Sequence, residues 1–155
     1  MTICDTMPKQ IIYSIGHSNI QLDKFIEFLE SYKITRVLDV RSNPKSEYVS
    51  HFNKEKLEKE LIQHHIEYTY CGDLLGGRQK INFKEYIKTK EYQEGIKHLI
   101  RLAHISLCVI MCSEKEYQGC HRRFIAESLI NEGLDVIQLG YNNENKIIKQ
   151  IPLME

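Results

Sequence analysis

Basic and acidic side chains cancel in this 155-residue chain, with 21 Lys and Arg against 21 Asp and Glu. A protein that coats phosphate backbones without regard to sequence needs a positive excess, so the balance argues against that class. It leaves room for a local basic patch. No apolar run approaches the ~20 residues that span a bilayer, and Met1–Gln10 has no basic-then-apolar leader pattern. A cytoplasmic protein without a membrane partner is the expectation. Internal repeats, low-complexity linkers and composition shifts are missing too, so one domain over 1–155 is expected, with 1–10 poorly ordered. The five cysteines (Cys4, Cys71, Cys108, Cys112 and Cys120) contain no Cys-x-x-Cys pair. Their odd number and the missing leader favour free thiols over a disulfide framework. Neither a Gly-x-Gly-x-x-Gly nor a Walker loop occurs, so dinucleotide and nucleoside-triphosphate readings lack support. No cofactor is named by the sequence.

Strand and helix patterns alternate along what is there. Ile11–Ile15 is a short apolar run closed by Gly16-His17-Ser18-Asn19, and Leu22, Phe25, Ile26, Leu29 and Tyr32 follow at helical spacing. Arg36–Val40 reads as a second strand broken by Arg41-Ser42-Asn43-Pro44. Asn53 is a good N-cap for a helix through Leu57, Leu61 and Ile62. Ile66–Tyr70 is a third strand, followed by Leu74-Leu75-Gly76-Gly77-Arg78. The stretch 79–90 reads as a loop with a short helix. Tyr92, Ile96, Leu99, Ile100 and Ala103 mark the next helix, and Ile105–Met111 a fourth, buried strand in which Cys108 acts as a small hydrophobe. A helix pattern with Phe124, Ile125, Ala126, Leu129 and Ile130 leads to a fifth strand, Asp135–Leu139. The tail Ile147–Ile151 suits an extra edge strand. This alternation predicts a mainly parallel sheet of about five strands, covered by helices on both faces.

Right-handed crossovers then bring the loops after the strands to one sheet edge, where open α/β sheets bind ligands. The candidates gathered there are His17, Ser18, Asp39, Arg41, Ser42, Arg78, Glu114, Cys120, His121 and Arg122. Asp39, Glu114 and the imidazoles of His17 and His121 offer acid–base chemistry; Arg41, Arg78 and Arg122, with Ser18 and Ser42, offer an anion clamp. Asp39 also reads as a turn cap or a simple partner of Arg41, and His17 as a satisfied turn histidine. His64, His65, His98 and His104 lie on helix patterns without partners and read as surface residues, while His51 stays open. Arg122 at a helix start opposes the helix dipole, which an anionic partner would offset. Cys120 beside His121 and Arg122 at that helix start is expected to ionise more readily than an ordinary thiol. The bland alternative is a small, half-buried helix-start residue. The spacing is not the Cys-x5-Arg loop of thiol phosphatases. Cys112, Cys120 and His121 also form a loose soft-ligand set for zinc, its fourth member to be sought at Cys71 or His17. Without a Cys-x-x-Cys pair, no metal is expected in the site.

Five ordered motifs carry a resemblance. They are Ser14-Ile15-Gly16-His17-Ser18, Leu38-Asp39-Val40-Arg41-Ser42 with Pro44 and Ser46, His51-Phe52-Asn53, Leu75-Gly76-Gly77-Arg78, and Cys112-x-Glu114 through Cys120-His121-Arg122. Together they resemble the family called domain of unknown function 488, from about Ile11 to Leu139. The resemblance implies a Rossmann-like α/β domain and points to His17, Asp39, Arg41, Arg78, Glu114, Cys120, His121 and Arg122. It fixes no activity. Arg123 stands where the family usually has a small Ser, so the hydroxyl of that Ser is absent.

Three functions fit these residues: a small enzyme acting on an anionic, phosphate-bearing or nucleotide-like substrate, a non-catalytic ligand- or nucleic-acid-binding module, and a metal-dependent site. The presence of Asp39 and Glu114, which a pure anion binder does not need, favours the first. Substrate, reaction and oligomeric state are not written in the sequence.

Overall fold

The computed structural model of the chain describes residues 10–45, 49–114, 121–141 and 147–149. Strand β1 (Ile11–Gly16) leads to helix α1 (Leu22–Ser31), then β2 (Arg36–Asp39), a 3-10 turn (Ser50–Phe52) and α2 (Lys54–Gln63). Strand β3 (Glu67–Tyr70) is followed by two short helices, α3 (Gly72–Leu75) and α4 (Phe83–Tyr86), and by the long α5 (Lys90–Ile105). Then come β4 (Cys108–Cys112), α6 (Arg122–Asn131), β5 (Asp135–Tyr141) and β6 (Ile147–Lys149). The strands form one sheet in the order β3-β2-β4-β1-β5-β6. The first five are parallel, and β6 runs antiparallel along β5. The sheet is therefore mixed, one strand larger than the parallel core read from the sequence, and the addition is the edge strand suggested by the tail.

Side-chain alternation splits the interior in two. Ile12, Leu38, Ile110 and Val136 point into a cluster with Tyr92, Ile96 and Leu99 of α5 and Ile125 and Leu129 of α6. Their neighbours Tyr13, Val37, Val109 and Ile137 point into a second cluster with Phe25 and Leu29 of α1 and Leu57 and Leu61 of α2. A period of two in the strands, against 3.6 in the helices, produces this division. Its cause is connectivity. From β1 to β2 and β2 to β3 the chain moves toward one edge of the sheet, then returns through β4 to β5. Right-handed crossovers put the outgoing helices on one face and the returning ones on the other.

The larger departures from the sequence pattern fall before β4 and after β3. Strand β4 begins at Cys108 because Ile105 still belongs to α5. Ile105 falls off the buried stripe of Tyr92, Ile96, Leu99 and Ala103 and is 71% exposed. Leu74-Leu75, given no element by the sequence pattern, form part of the helical turn α3, whose Leu75 is buried. In the stretch 79–90 the expected short helix is present, with Asn82 Oδ1 accepting from Lys84 N at 2.8 Å.

Candidate functional site

The carboxyl ends of β1, β2 and β4 are laced together by backbone bonds. His17 N donates to Cys112 O at 2.8 Å, Ser18 N to Ser113 O at 3.0 Å, and Val40 N to Met111 O at 3.0 Å. Gly16 permits this approach, since a Cβ there would lie 1.5 Å from Glu114 O. Strands β2 and β4 are neighbours whose chains leave in opposite directions, the arrangement at which open α/β sheets bind ligands.

Arg41 is the centre of one side. Its Nε and Nη2 donate to Asp39 Oδ1 and Oδ2 at 2.9 and 2.7 Å, a two-point pair, and its own backbone N donates to Oδ1 at 3.0 Å. Tyr68, on the same face of β3, donates its hydroxyl to Asp39 Oδ2 at 2.5 Å. Asp39, fully buried, is thus both turn cap and ion-pair partner, the two plain roles its position suggested. Burial works against the charge of Arg41, but the hydrogen bonds and charge of Asp39 outweigh it and hold the guanidinium more firmly protonated. Burial, with the Asp39 charge beside it, drives the Tyr68 hydroxyl to a higher pKa.

His17 completes the chain. Its Nδ1 lies 2.7 Å from Ser18 O and must donate, so Nε2 is the acceptor facing Arg41 Nη1 at 3.3 Å. The ring stacks on Phe52 at 4.1 Å. Burial, followed by the Arg41 charge, lowers its pKa to about 4, the Ser18 carbonyl pulling the other way. His17 is therefore neutral at pH 7. Arg41 has five N–H donors, of which Asp39 takes two and His17 one. Asp39 and His17 leave one N–H on Nη1 and one on Nη2, and the Tyr68 hydroxyl lies close enough to interact with Arg41.

The other side is built on His121 and Arg122. His121 Nε2 lies 2.9 Å from Val40 O, to which it donates. Gly77 runs against this ring: a Cβ there would be 3.1 Å from Nδ1. Arg78, whose side chain is exposed, donates its backbone N to Ser42 Oγ at 2.8 Å. Gly76 lies so close to Ser42 Oγ that a Cβ would meet it at 2.3 Å. Arg122 is 1% exposed. It donates from Nε to Cys112 Sγ at 2.9 Å, from Nη1 to Ser14 Oγ and Gln138 Oε1 at 2.8 and 2.9 Å, and from Nη2 to Glu114 O at 2.8 Å. It ties α6 to the ends of β1, β4 and β5. The carboxylate side of Glu114 is exposed, and only its carbonyl takes part in this set.

All described candidates thus gather at one sheet edge, with His17, Asp39 and Arg41 in direct contact and His121 bonded to the residue before Arg41. Cys120 lies outside the described residues. Among the described residues, no group of three or more His, Cys, Asp or Glu has the geometry to hold a metal ion. Cys71, Cys108 and Cys112 are free thiols, and burial drives Cys71 to about 12 and Cys108 to about 11. His64, His65 and His104 are exposed. His51 points its Nε2 at Ile20 O, 2.8 Å away. Tyr68, Phe52, Ser14 and Gln138 were not among the candidates; polar Ser14 and Gln138 inside apolar strand runs were the available signal.

A cavity of about 360 Å3 between α1 and α2 contains none of these residues. Its lining includes Asp23, Glu27, Glu30 and Glu60, which repel anions. No helix among the described residues is long and apolar enough to cross a membrane.

No curated protein and no solved structure matches the chain. The family model described as "Domain of unknown function DUF488" matches residues 21–129, a range that starts just after the His17 turn and takes in β2 through most of α6. The chain belongs to that family.

Proposed function

We propose that this Rossmann-like, three-layer domain is a small enzyme acting on a phosphate-bearing, nucleotide-like substrate in the crevice between the ends of β2 and β4. The observation that carries the reading is Arg41: a buried guanidinium, fixed on two sides by Asp39 and His17, with N–H groups that neither of them takes. A rigid, permanently charged donor of this kind recognises phosphate or carboxylate oxygens. Neutral His17 supports it, because a protonated ring would turn an N–H toward Arg41. Ser42 and Arg78, tied together beside Arg41, and Ser18 supply further contacts. His121, whose ring is fixed to Val40 O beside Arg41, is the proton carrier in this reading.

Calorimetric titration of inorganic phosphate and nucleoside monophosphates tests the reading. Arg41→Lys is expected to weaken binding at least ~10-fold, because a lysine cannot keep the two-point pair and still present donors. Unaltered circular dichroism guards against misfolding, and exposed Arg78→Ala gives a second, smaller loss. Absence of phosphate binding to the wild-type chain overturns the reading. A non-catalytic anion-binding module is the second reading, favoured by one fact: Asp39 and His17 are committed to Arg41. His121→Gln separates the two, abolishing phosphate-ester turnover with binding intact if the domain is an enzyme.

A further inference from the structure

We infer that the substrate of this site is a single-stranded polynucleotide, its phosphates following the basic loops and its bases resting on Phe83, His121 and Phe124. The inference rests on the Arg41 reading above and extends it to a class of macromolecule.

Charge placement is the first support. The loop segments 41–45 and 76–84 and the helix start 121–124 carry seven of the chain's 21 Lys and Arg and none of its 21 Asp and Glu. Net neutrality therefore conceals these basic segments at the carboxyl edge, where Asp39 pairs with Arg41 and exposed Glu114 is the acidic neighbour. Among the described residues, exposed Arg78, Lys80 and Lys84 are held in no ion pair. The acidic residues lining the cavity between α1 and α2 lie elsewhere.

Half-buried rings are the second support, and they are continuous with the cations. Phe83 meets His121 edge-on at 5.6 Å and Phe124 at 5.6 Å, and the Arg123 guanidinium lies over Phe124 at 4.8 Å. His121 touches Gly77, next to Arg78, and bonds Val40 O, next to Arg41. Phosphate donors thus run on into ring faces along one path from Arg41 through Ser42 and Arg78 to His121 and Phe83. Single strands are held in this way, by a positive track with aromatic faces for unstacked bases. Bases in a duplex are stacked on one another and do not reach such faces. An acidic peptide would use the cations and leave the rings idle.

Fluorescence anisotropy of the full chain with a labelled oligonucleotide of about ten residues tests this. An abasic oligomer of the same length, a duplex, poly-glutamate and a nucleoside monophosphate are the comparisons. The base-bearing strand should bind about 10-fold more tightly than the abasic one, and Phe124→Leu should narrow that gap. Lys80→Ala and Lys84→Ala, both at exposed positions, should each reduce the slope of log affinity against log salt by about 0.7. Equal binding of the abasic strand, the duplex or poly-glutamate overturns the inference. So does an oligonucleotide that binds no better than the monophosphate, while Arg41-dependent phosphate binding would then leave the first reading standing. If no phosphate compound binds at all, both fall.

Discussion

At the scale of single residues, His17 shows how burial sets protonation. The unfolded ring titrates near 6.5 and the folded one near 4, so the unfolded chain takes up the proton first. Stability is therefore complete above pH 6.5 and declines as pH falls toward 4. A displacement of this size is worth about 3 kcal/mol. Carboxylates also titrate near the bottom of that window, so the comparison must be with a variant rather than with pH 7 alone. His17→Gln keeps an acceptor for Arg41 and removes the titration. Urea unfolding between pH 7 and 4 should show a shallower acid loss for the variant than for the native chain, and equal slopes would refute the assignment. The neutrality of His17 was not legible in the sequence, which offered an imidazole in a turn. It follows from Phe52 stacked on one side and Arg41 on the other, residues 35 and 24 positions away by the numbering.

At the scale of elements, the chain ends three helices in the same way. Lys33, His65 and Gly133 each follow a helix cap with positive φ, the left-handed values 61°, 62° and 97°. In each case the next residue donates back five positions: Ile34 N to Leu29 O, Ile66 N to Leu61 O and Leu134 N to Leu129 O. The six hydrophobic residues so paired are all buried. This is the Schellman ending, and it launches β2, β3 and β5 directly from α1, α2 and α6. Only Gly133 was readable as a stop signal. At Lys33 and His65 the burial of Ile34 and Ile66 imposes a conformation that a Cβ resists, so local propensity was silent. Lys33→Gly and His65→Gly should therefore each stabilise the chain by about 0.5–1 kcal/mol, because relief of the left-handed strain exceeds the added freedom of the unfolded chain. Thermal unfolding checks this, and a lower midpoint for both variants would show that the strain is already relieved. The start of β4 was misread for a related reason: apolar Ile105 matched a strand by composition, but the stripe of α5 carries the chain past it.

At the scale of the whole molecule, the alternation of strands and helices was legible and the strand order was not. Motifs at Gly16-His17, Asp39–Ser42 and His121-Arg122 could be placed at strand ends one by one. Which of them touch depends on β4 entering between β2 and β1, a choice made by tertiary packing. That choice explains why Arg122, an anion clamp by its position at a helix start, instead collects acceptors from β1, β4 and β5. It also divides the apolar interior into two clusters that share the sheet but no helix. Ile125 of α6 lies in one and Ile26 of α1 in the other. Helices on opposite faces of a sheet are separated by more than the ~10 Å over which neighbouring substitutions interact. Ile125→Val and Ile26→Val should each cost about 0.5–1.5 kcal/mol, and the double variant should lose the sum to within ~0.5 kcal/mol. The unfolding of all three variants should remain a single transition, because β1, β2, β4 and β5 each contribute side chains to both clusters and neither face can melt alone. Urea titration followed at once by far-ultraviolet dichroism and tyrosine fluorescence reads both quantities. Two separated transitions would mean that the faces are independent units, and a coupling well beyond ~0.5 kcal/mol would mean that strain passes through the sheet from one cluster to the other.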